Sequence, residues 1–316
     1  MREKGISQLS PALCQQQSAR EEARMQRRSL GLFAFLPALC SSGALAQEAR
    51  PGYLDPEPIL EAAREAIGAD RIQCISAAGT ITGSRVGQQR WIQVEGDWPD
   101  DELSNFLREL NWEAGTMRET FDRDPALGLP ASYKYGVGYS GGTPTQANLT
   151  QVFAVNDGTA WHRDGPGSPA KAVPPAVAEH WQLDLYLNPV GFLKAAAMPG
   201  ADPVAFWRWE IGEMGRDGPT TIPEKVSVVS IKVLDKYQVD ATINKENLIQ
   251  RVHTSIPHPV MGDFNVEQEF VNEEYADLGN GMRFPTTWHS HQGVDDNFGA
   301  QFVSSGHNAF DGTLDN

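Results

Sequence analysis

Two histidines near the C-terminus, His289 and His291, have the spacing of a metal-binding pair. Residues i and i+2 of a β-strand point to the same side, so the two imidazoles could share a zinc ion. His307 follows in the sequence and could supply a third ligand. The same alternation also favours a solvent-exposed pair, because Phe284 and Trp288 mark the opposite, apolar side of the segment. The spacing therefore leaves a zinc site and a surface pair as alternatives.

Other reactive side chains give weaker patterns. Glu210 and Glu213 could form a carboxylate pair for acid–base catalysis, although close pairs on an acidic chain are usually solvated. Cys74 has no charged neighbour to activate it, which favours a small core residue over a nucleophile. No Gly-x-Ser-x-Gly sequence occurs. The chain as it stands therefore points away from an enzyme, and we leave hydrolase activity open.

The N-terminal region has the three parts of a secretory signal peptide. A basic segment at residues 25–28 precedes an apolar run at 30–39, and the small residues 44–46 resemble a cleavage site. The apolar run is shorter than the about 20 residues that cross a bilayer, so we expect no membrane span. We predict a presequence at residues 1–46, a β-rich domain at 47–292 and a C-terminal tail at 293–316, which looks cut short. The protein is expected to be periplasmic or secreted.

The charge of the chain argues against one class of partner. The 316 residues carry a formal net charge of −15. Nucleic acids and anionic lipids are bound through patches of Lys and Arg, so we expect no nucleic-acid partner.

Hydrophobic periodicity of 3.6 predicts several helices. The first starts at Asp55-Pro56, buries Leu60 and Ile67, and stops at Gly68. A second is predicted from Pro99, because Leu103, Phe106, Leu107 and Leu110 fall on one face. Two more are predicted at residues 175–187, with Val177, Trp181 and Leu185 on one side, and at 190–197, capped by Asn188.

Alternating segments between residues 225 and 291 predict consecutive antiparallel strands. One strand is expected to run from Met282 to His291, and a four-residue turn is expected at 244–247. A hairpin is predicted around residues 156–158, because Asn, Asp and Gly tolerate positive φ. The aromatic residues 206–209 are expected between loops. The fold class is therefore α+β, a curved antiparallel sheet, or half-barrel, with helices packed on its concave face.

Eight tryptophans are many for this length. Large aromatic side chains enclosed between helices and a curved sheet could be core or could line a pocket for an apolar ligand. The pocket candidates are Trp181, Phe192, Phe284 and Trp288.

Three segments resemble the N-terminal extension of exported bacterial metallo-β-lactamase-fold hydrolases. They are residues 187–196 (LNPVGFLKAA), 244–253 (NKENLIQRVH) and 277–285 (DLGNGMRFP). The strand pattern also looks like the half-barrel of periplasmic lipoprotein carriers, whose open sheet can hold an acyl chain. The zinc motif of the hydrolases, His-x-His-x-Asp-His, is not met, because Gly293 and Val294 follow the only His-x-His. The resemblance therefore supplies no catalytic residue.

Three functions remain. The first is a non-catalytic accessory domain related to these hydrolases, which binds an apolar small molecule or docks against a hydrolase domain. The second is a stand-alone carrier of lipid or another hydrophobic ligand. The third is a zinc hydrolase that uses His289, His291 and His307. We expect no cofactor unless that histidine cluster binds zinc.

Overall fold

A computed structural model describes residues 52–84, 100–123, 149–210, 214–215, 218–219, 224–258, 262–270, 275–294 and 308–315. All of them belong to one compact unit, Arg50–Asn316. Antiparallel sheet dominates these residues and three α-helices accompany it, so the chain is α+β as predicted.

The helices and strands are numbered in chain order. The helices are α1 (Pro56–Ile67), α2 (Pro175–Asp184) and α3 (Pro189–Ala196), with a 3-10 turn at Ala69–Arg71. The strands are β1 (Tyr53–Leu54), β2 (Cys74–Ser84), β3 (Asp100–Asn111), β4 (Thr116–Arg123), β5 (Leu149–Asn156), β6 (Thr159–Asp164), β7 (Lys171–Ala172), β8 (Val204–Glu210), β9 (Met214–Gly215), β10 (Gly218–Pro219), β11 (Glu224–Val233), β12 (Tyr237–Ile243), β13 (Ile249–His258), β14 (Gly262–Phe270), β15 (Tyr275–Gly279), β16 (Met282–Pro285), β17 (Thr287–Val294) and β18 (Asn308–Asp315).

The main sheet has 14 strands in the order β1-β8-β11-β12-β13-β14-β17-β18-β2-β3-β4-β5-β6-β7. Every pairing in it is antiparallel, and β9–β10 and β15–β16 form two small separate sheets. Residues paired across neighbouring strands share a face, so Val229, Ala241 and Val252 lie on one side. The helices pack on this side: α1 and α3 contact β11, and α2 contacts β5 and β6. We call it the helix-facing side.

Helix α1 has the limits predicted from its end residues. The Asp55 side chain accepts a hydrogen bond from the backbone N–H of Glu57, and Gly68 ends the helix in the left-handed conformation. Leu60 and Ile67 are fully buried, as their spacing predicted. A Cβ on Gly68 would lie 2.2 Å from the carbonyl oxygen of Gly281, so glycine also allows the β15–β16 hairpin to approach.

The helix predicted from Pro99 is wrong, because residues 100–111 form strand β3. Leu103 pairs with Ile81 and Phe106 with Gly79, so the strand carries one extra residue between these pairs. Asn105 lies at this irregularity with a φ of +50°. A β-bulge places residues three apart on the same face, which in the sequence imitates the spacing of a helix.

Three other elements differ from their predicted limits. The aromatic residues 206–209 lie within strand β8, because β1 and β11 pair with its two edges. The strand expected from Met282 to His291 is two strands, since β16 pairs with β15 whereas β17 joins the main sheet. Helix α2 ends at Asp184, and Val177 is exposed rather than packed.

Both predicted turns are confirmed. Strands β5 and β6 are joined by Asp157 and Gly158, which have φ values of +43° and +75°. In the β12–β13 loop, the Asn244 side chain accepts hydrogen bonds from the N–H groups of Glu246 and Leu248. An Asn side chain that takes the place of a backbone acceptor stabilises such a turn.

The connection between α2 and α3 is a buried corner. The Leu185 carbonyl accepts hydrogen bonds from Trp112 Nε1 (2.8 Å) and from the Asn188 amide (2.9 Å). The Asn188 side chain also caps α3 by accepting from the N–H of Gly191. Trp112 follows β3, so the corner fixes both helices to the sheet.

We expect Gly191→Ala to destabilise the protein by about 3 kcal/mol or more, since overpacking at a rigid site is costly. A Cβ there would lie 2.2 Å from the Leu185 oxygen and 2.9 Å from Trp112 Nε1. Gly158→Ala is the control, because a Cβ at this turn meets nothing within 4 Å and strains only the backbone, by about 1–2 kcal/mol. Urea unfolding measures both, and equal losses would contradict the packing argument.

Candidate functional site

Four rings cross the helix-facing side of neighbouring strands β3 to β6. Phe106 stacks on Phe121 at 6.2 Å between centroids, Phe121 on Phe153 at 5.5 Å, and Phe153 on His162 at 6.1 Å. Cross-strand aromatic pairs stabilise a sheet beyond the area that they bury. We call this row the aromatic ladder. It gives this part of the sheet a continuous apolar surface.

Helix α2 covers the ladder. Trp181 packs edge-on against Phe153, with 5.0 Å between the ring centroids. Gln182 accepts a hydrogen bond from the N–H of Gly158 (3.1 Å) and donates one to the carbonyl of Gly115 (3.3 Å). Both bonds go to the hairpin turns of this part of the sheet, so they fix α2 above β4 to β6.

The same helix contacts a distant part of the sheet. The Tyr237 hydroxyl, at the start of β12, donates a hydrogen bond to the Glu179 carboxylate, and Lys236 forms an ion pair with that carboxylate. The hydrogen bond from Lys236 is the largest cause of a lowered pKa at Glu179. Glu179 is therefore held ionised as the anchor of α2 on the β11–β12 turn.

A recess lies beside the ladder, between the α2–α3 corner and the sheet. Its lining comes from strands β2, β3, β14 and β16 and from the corner itself. The lining residues are Ile75, Ala77, Arg108, Leu110, Leu187, Asn188, Gln268, Phe270 and Phe284. The lining is mostly apolar, and its unfilled space has room for about one water molecule. We call it the apolar recess.

Two charged residues share the helix-facing side with the ladder. Arg108 and Glu119 are paired in the β3–β4 register, and Arg108 Nε donates to the Glu119 carboxylate at 2.6 Å. The Arg108 side chain is 28% exposed and that of Glu119 is 18% exposed. The guanidinium also lies 5.5 Å from the centroid of Phe106. Charges among apolar side chains lose hydration, and this desolvation offsets much of the attraction between Arg108 and Glu119.

Asp184, the last residue of α2, adds a second carboxyl to this group. Asp184 is exposed to solvent, although many protein atoms lie around its carboxyl. Burial raises the pKa of Asp184 to about 7, Arg108 lowers it and Glu119 raises it. The negative end of the α2 dipole acts in the same direction as burial. Arg108 therefore forms an ion pair with Glu119, and its charge also acts on Asp184.

A polar row continues from the ladder toward the strand ends. Arg123 Nε donates to the Gln151 side chain at 2.8 Å, and Gln151 donates to Asp164 at 2.8 Å. This second bond is the largest cause of the lowered pKa of Asp164. His162 and Lys171 lie 3.5 Å from the same carboxylate. The residues of this row form hydrogen bonds and ion pairs with one another, which favours a structural role.

Two of the predicted zinc ligands, His289 and His291, belong to strand β17. The β14–β17 register sets His289 opposite Glu269 and His291 opposite Glu267. Ser290, between them, is buried and contacts Gln268 on the helix-facing side, so the two histidines occupy positions on the other face. His307 lies outside the described residues. Among those that are described, no three potential metal ligands come together.

The predicted pocket residues have different surroundings. Phe284 lines the apolar recess, and Trp181 contacts the ladder. Phe192 is fully buried in the core and does not line the recess. Trp288 lies opposite Phe270 in the register, and its side chain is outside what the structure describes.

Two other candidates have structural partners. Glu210 forms ion pairs with Arg208 and Arg251, and Glu213 lies outside the described residues. Cys74 is disulfide-bonded, which corrects the expectation of a small core thiol.

Sequence reasoning missed Arg108, Glu119 and Asp184. Once residues 100–111 are assigned to a strand, Arg108 falls between Phe106 and Leu110 on one face. A charged residue in an apolar row of alternate residues is a signal of a site, but the helical assignment concealed it.

Comparison with known proteins gives fold likenesses only. No family model matches the chain, and no curated protein matches it. A LolA superfamily protein from Nitrosomonas europaea has a TM-score of 0.38 and 11% identity, over 82% of this chain and 92% of that one. A putative outer membrane lipoprotein-sorting protein domain from Vibrio parahaemolyticus has a TM-score of 0.39 and 11% identity, over 83% and 93%.

A third solved structure, a DUF1329 family protein from Desulfovibrio piger, has a TM-score of 0.38 and 9% identity over 83% and 93% of the two chains. Kinship with metallo-β-lactamase-fold hydrolases stays a prediction. Within the described residues, no helix has the length and apolar character needed to cross a membrane.

We expect Asp184→Asn to stabilise the protein at pH 8 relative to pH 4. A folded-state pKa raised from 3.8 to about 7 contributes stability below pH 4, and this contribution is lost as the pH rises through about 7. The measurement is the melting temperature of variant minus wild type at intervals from pH 4 to 8. Asp235→Asn is the control, because it also removes one carboxyl, from the exposed β11–β12 turn. A difference that does not change with pH would contradict the raised pKa.

Proposed function

We propose that this protein binds an apolar or amphipathic small molecule between the sheet and its helices, as an exported carrier. The observation that supports this most directly is the apolar recess, which meets a partly buried charge group at Arg108 beside the aromatic ladder. Ligand sites are typically apolar concavities with a few polar groups that orient the ligand.

A curled sheet is part of the proposal. Strands β12 and β5 are eight steps apart in the strand order, which is about 38 Å across a flat sheet. Helix α2 has 10 residues and is about 15 Å long. Nevertheless, Glu179 of α2 contacts Tyr237 of β12, and Trp181 contacts Phe153 of β5. A helix this short can contact both strands only if the sheet curls, which supports a half-barrel whose concave side holds the helices.

The proposed half-barrel is filled unevenly. At the β11–β13 end, α1 and α3 are packed tightly, and Val229, Val239 and Val252 are fully buried. At the β3–β6 end the cover comes from α2, and Phe153 and Trp181 are only partly buried. A ligand would therefore enter at the β3–β6 end. Because the recess has little free space, an alkyl chain would have to displace side chains such as Leu187 or Phe284.

The proposed location follows from the signal-peptide pattern of residues 1–46. An exported carrier needs no cofactor and no nucleophile, which agrees with the lack of a catalytic motif in the sequence. No contact of the described residues favours the accessory-domain function over the carrier, and docking against a hydrolase domain stays a prediction.

Ala77→Leu tests the binding site. Ala77 lines the recess, so the larger side chain should occupy its space and weaken binding of dodecan-1-ol at least tenfold. Ala78→Leu is the matched control, because the neighbouring residue of β2 lies on the other face. Binding is measured by displacement of the neutral fluorophore N-phenyl-1-naphthylamine, with circular dichroism to confirm folding. No binding by the folded wild-type protein, or equal binding by the two variants, would contradict the proposed site.

A further inference from the structure

Two pairs of potential metal ligands face each other across strands β14 and β17. The register sets Glu269 opposite His289 and Glu267 opposite His291. On each strand the residue in between lies on the helix-facing side, where the two form a hydrogen bond. All four potential ligands therefore occupy positions on the opposite side of the sheet, which we call the outer face. The two imidazoles lie outside what the structure describes, but the backbone register fixes which positions are neighbours.

The four positions are close enough for one ion to reach them all. Residues directly opposite on antiparallel strands have Cβ atoms about 5 Å apart, and residues i and i+2 of one strand are about 7 Å apart. The four Cβ positions therefore outline a rectangle whose centre is about 4 Å from each corner. His and Glu side chains can span this distance and still place a nitrogen or an oxygen about 2 Å from a zinc ion above the centre. We call this set the His–Glu rectangle.

Glu267 is only weakly paired with the cationic residue beside it. The Nε atom of Arg251, on β13, lies 3.8 Å from the Glu267 carboxylate, which is beyond hydrogen-bond distance, and Arg251 forms a closer ion pair with Glu210. His253 lies opposite Glu267 on β13, but it is two strands and thus about 10 Å away from β17. His253 is therefore outside the reach of an ion at the centre of the rectangle.

We propose that the His–Glu rectangle binds one Zn²⁺ ion through its two imidazoles and two carboxylates. Zinc accepts nitrogen and oxygen ligands together, and the two carboxylates balance the charge of the ion. Four protein ligands complete the coordination and leave no open position for water or substrate, which is the arrangement of structural zinc sites. The site is separate from the proposed carrier function, since the apolar recess lies on the helix-facing side.

The proposed ion would lie where two parts of the main sheet join. Strands β8 and β11 to β14 are neighbours on one side, strands β2 to β7 are neighbours on the other, and β17 and β18 connect them. A slip of one residue between β14 and β17 would move every side chain of β17 to the other face. An ion bound to both strands would fix their register at this junction.

The first experiment measures zinc in the full chain, purified without a histidine tag. The protein is treated with EDTA, incubated with Zn²⁺, freed of unbound metal by gel filtration and analysed by inductively coupled plasma mass spectrometry. We expect about one zinc ion per chain, because such sites bind stoichiometrically. Zinc should also raise the melting temperature, since an ion that binds only the folded state stabilises it. Less than about 0.1 zinc per folded chain would overturn the proposal.

The second experiment tests the ligands one at a time, with His289→Ala, His291→Ala and Glu267→Gln. Loss of even an outer-shell partner lowers metal affinity by about 10- to 100-fold, so each variant should bind zinc at least about tenfold more weakly. Affinity is measured by competition with the chelator 4-(2-pyridylazo)resorcinol, and circular dichroism confirms folding. Glu267→Gln keeps the size of the side chain, so it is the variant that disturbs the fold least.

His253→Ala is the matched control, because it removes a histidine from the same face outside the rectangle. It should bind zinc as tightly as the wild type. Equal weakening in this control, or unchanged affinity in the three ligand variants, would show that the ligand set is wrong. If the variants melt at lower temperature in EDTA but the wild type retains no zinc, the facing residues are cross-strand ion pairs only, and the metal site is wrong.

Discussion

One short helix, α2, holds together strands that are eight positions apart in the sheet order. Its Glu179 is bound by Tyr237 and Lys236 at one end of the sheet, and its Gln182 is bound at the hairpin turns of the other. A flat sheet of 14 strands would be much wider than the length of any of the three helices in the described residues. The proposed curl resolves this mismatch, and the corner at Leu185 and Asn188 then ties α2 and α3 to the same core.

The Arg108–Glu119 pair is informative because its side chains are largely removed from water. An isolated core at this place would be more stable with apolar residues, since desolvation of an ion pair often exceeds its attraction. The raised pKa of Asp184 means that ionisation of its carboxyl near neutral pH lowers the free energy of unfolding.

Local signals in the sequence were reliable where the residue itself stabilises the structure. Asp55, Gly68 and Asn188 cap helices through their own side chain or backbone, and residues 156–158 are of types that tolerate the positive φ values of their turn. Strand β3 was predicted wrongly because its structure depends on other segments of the chain. Its bulge at Asn105 is stabilised by pairing with β2 and β4, and a single segment carries no sign of those partners.

The sequence by itself determined the α+β class, the limits of α1, the cap of α3, the hairpin turns and the acidic charge. Caps, turns and hydrophobic periodicity depend on residues that are close together in the sequence. Only the tertiary structure decided that Arg108 pairs with Glu119, that the charges of both act on Asp184, and that His289 and His291 occupy positions on the opposite face from the helices. Glu119 and Asp184 are 65 residues apart in the sequence. Their proximity depends on strand register and on the path of α2 across the sheet, and neither is encoded within a single segment.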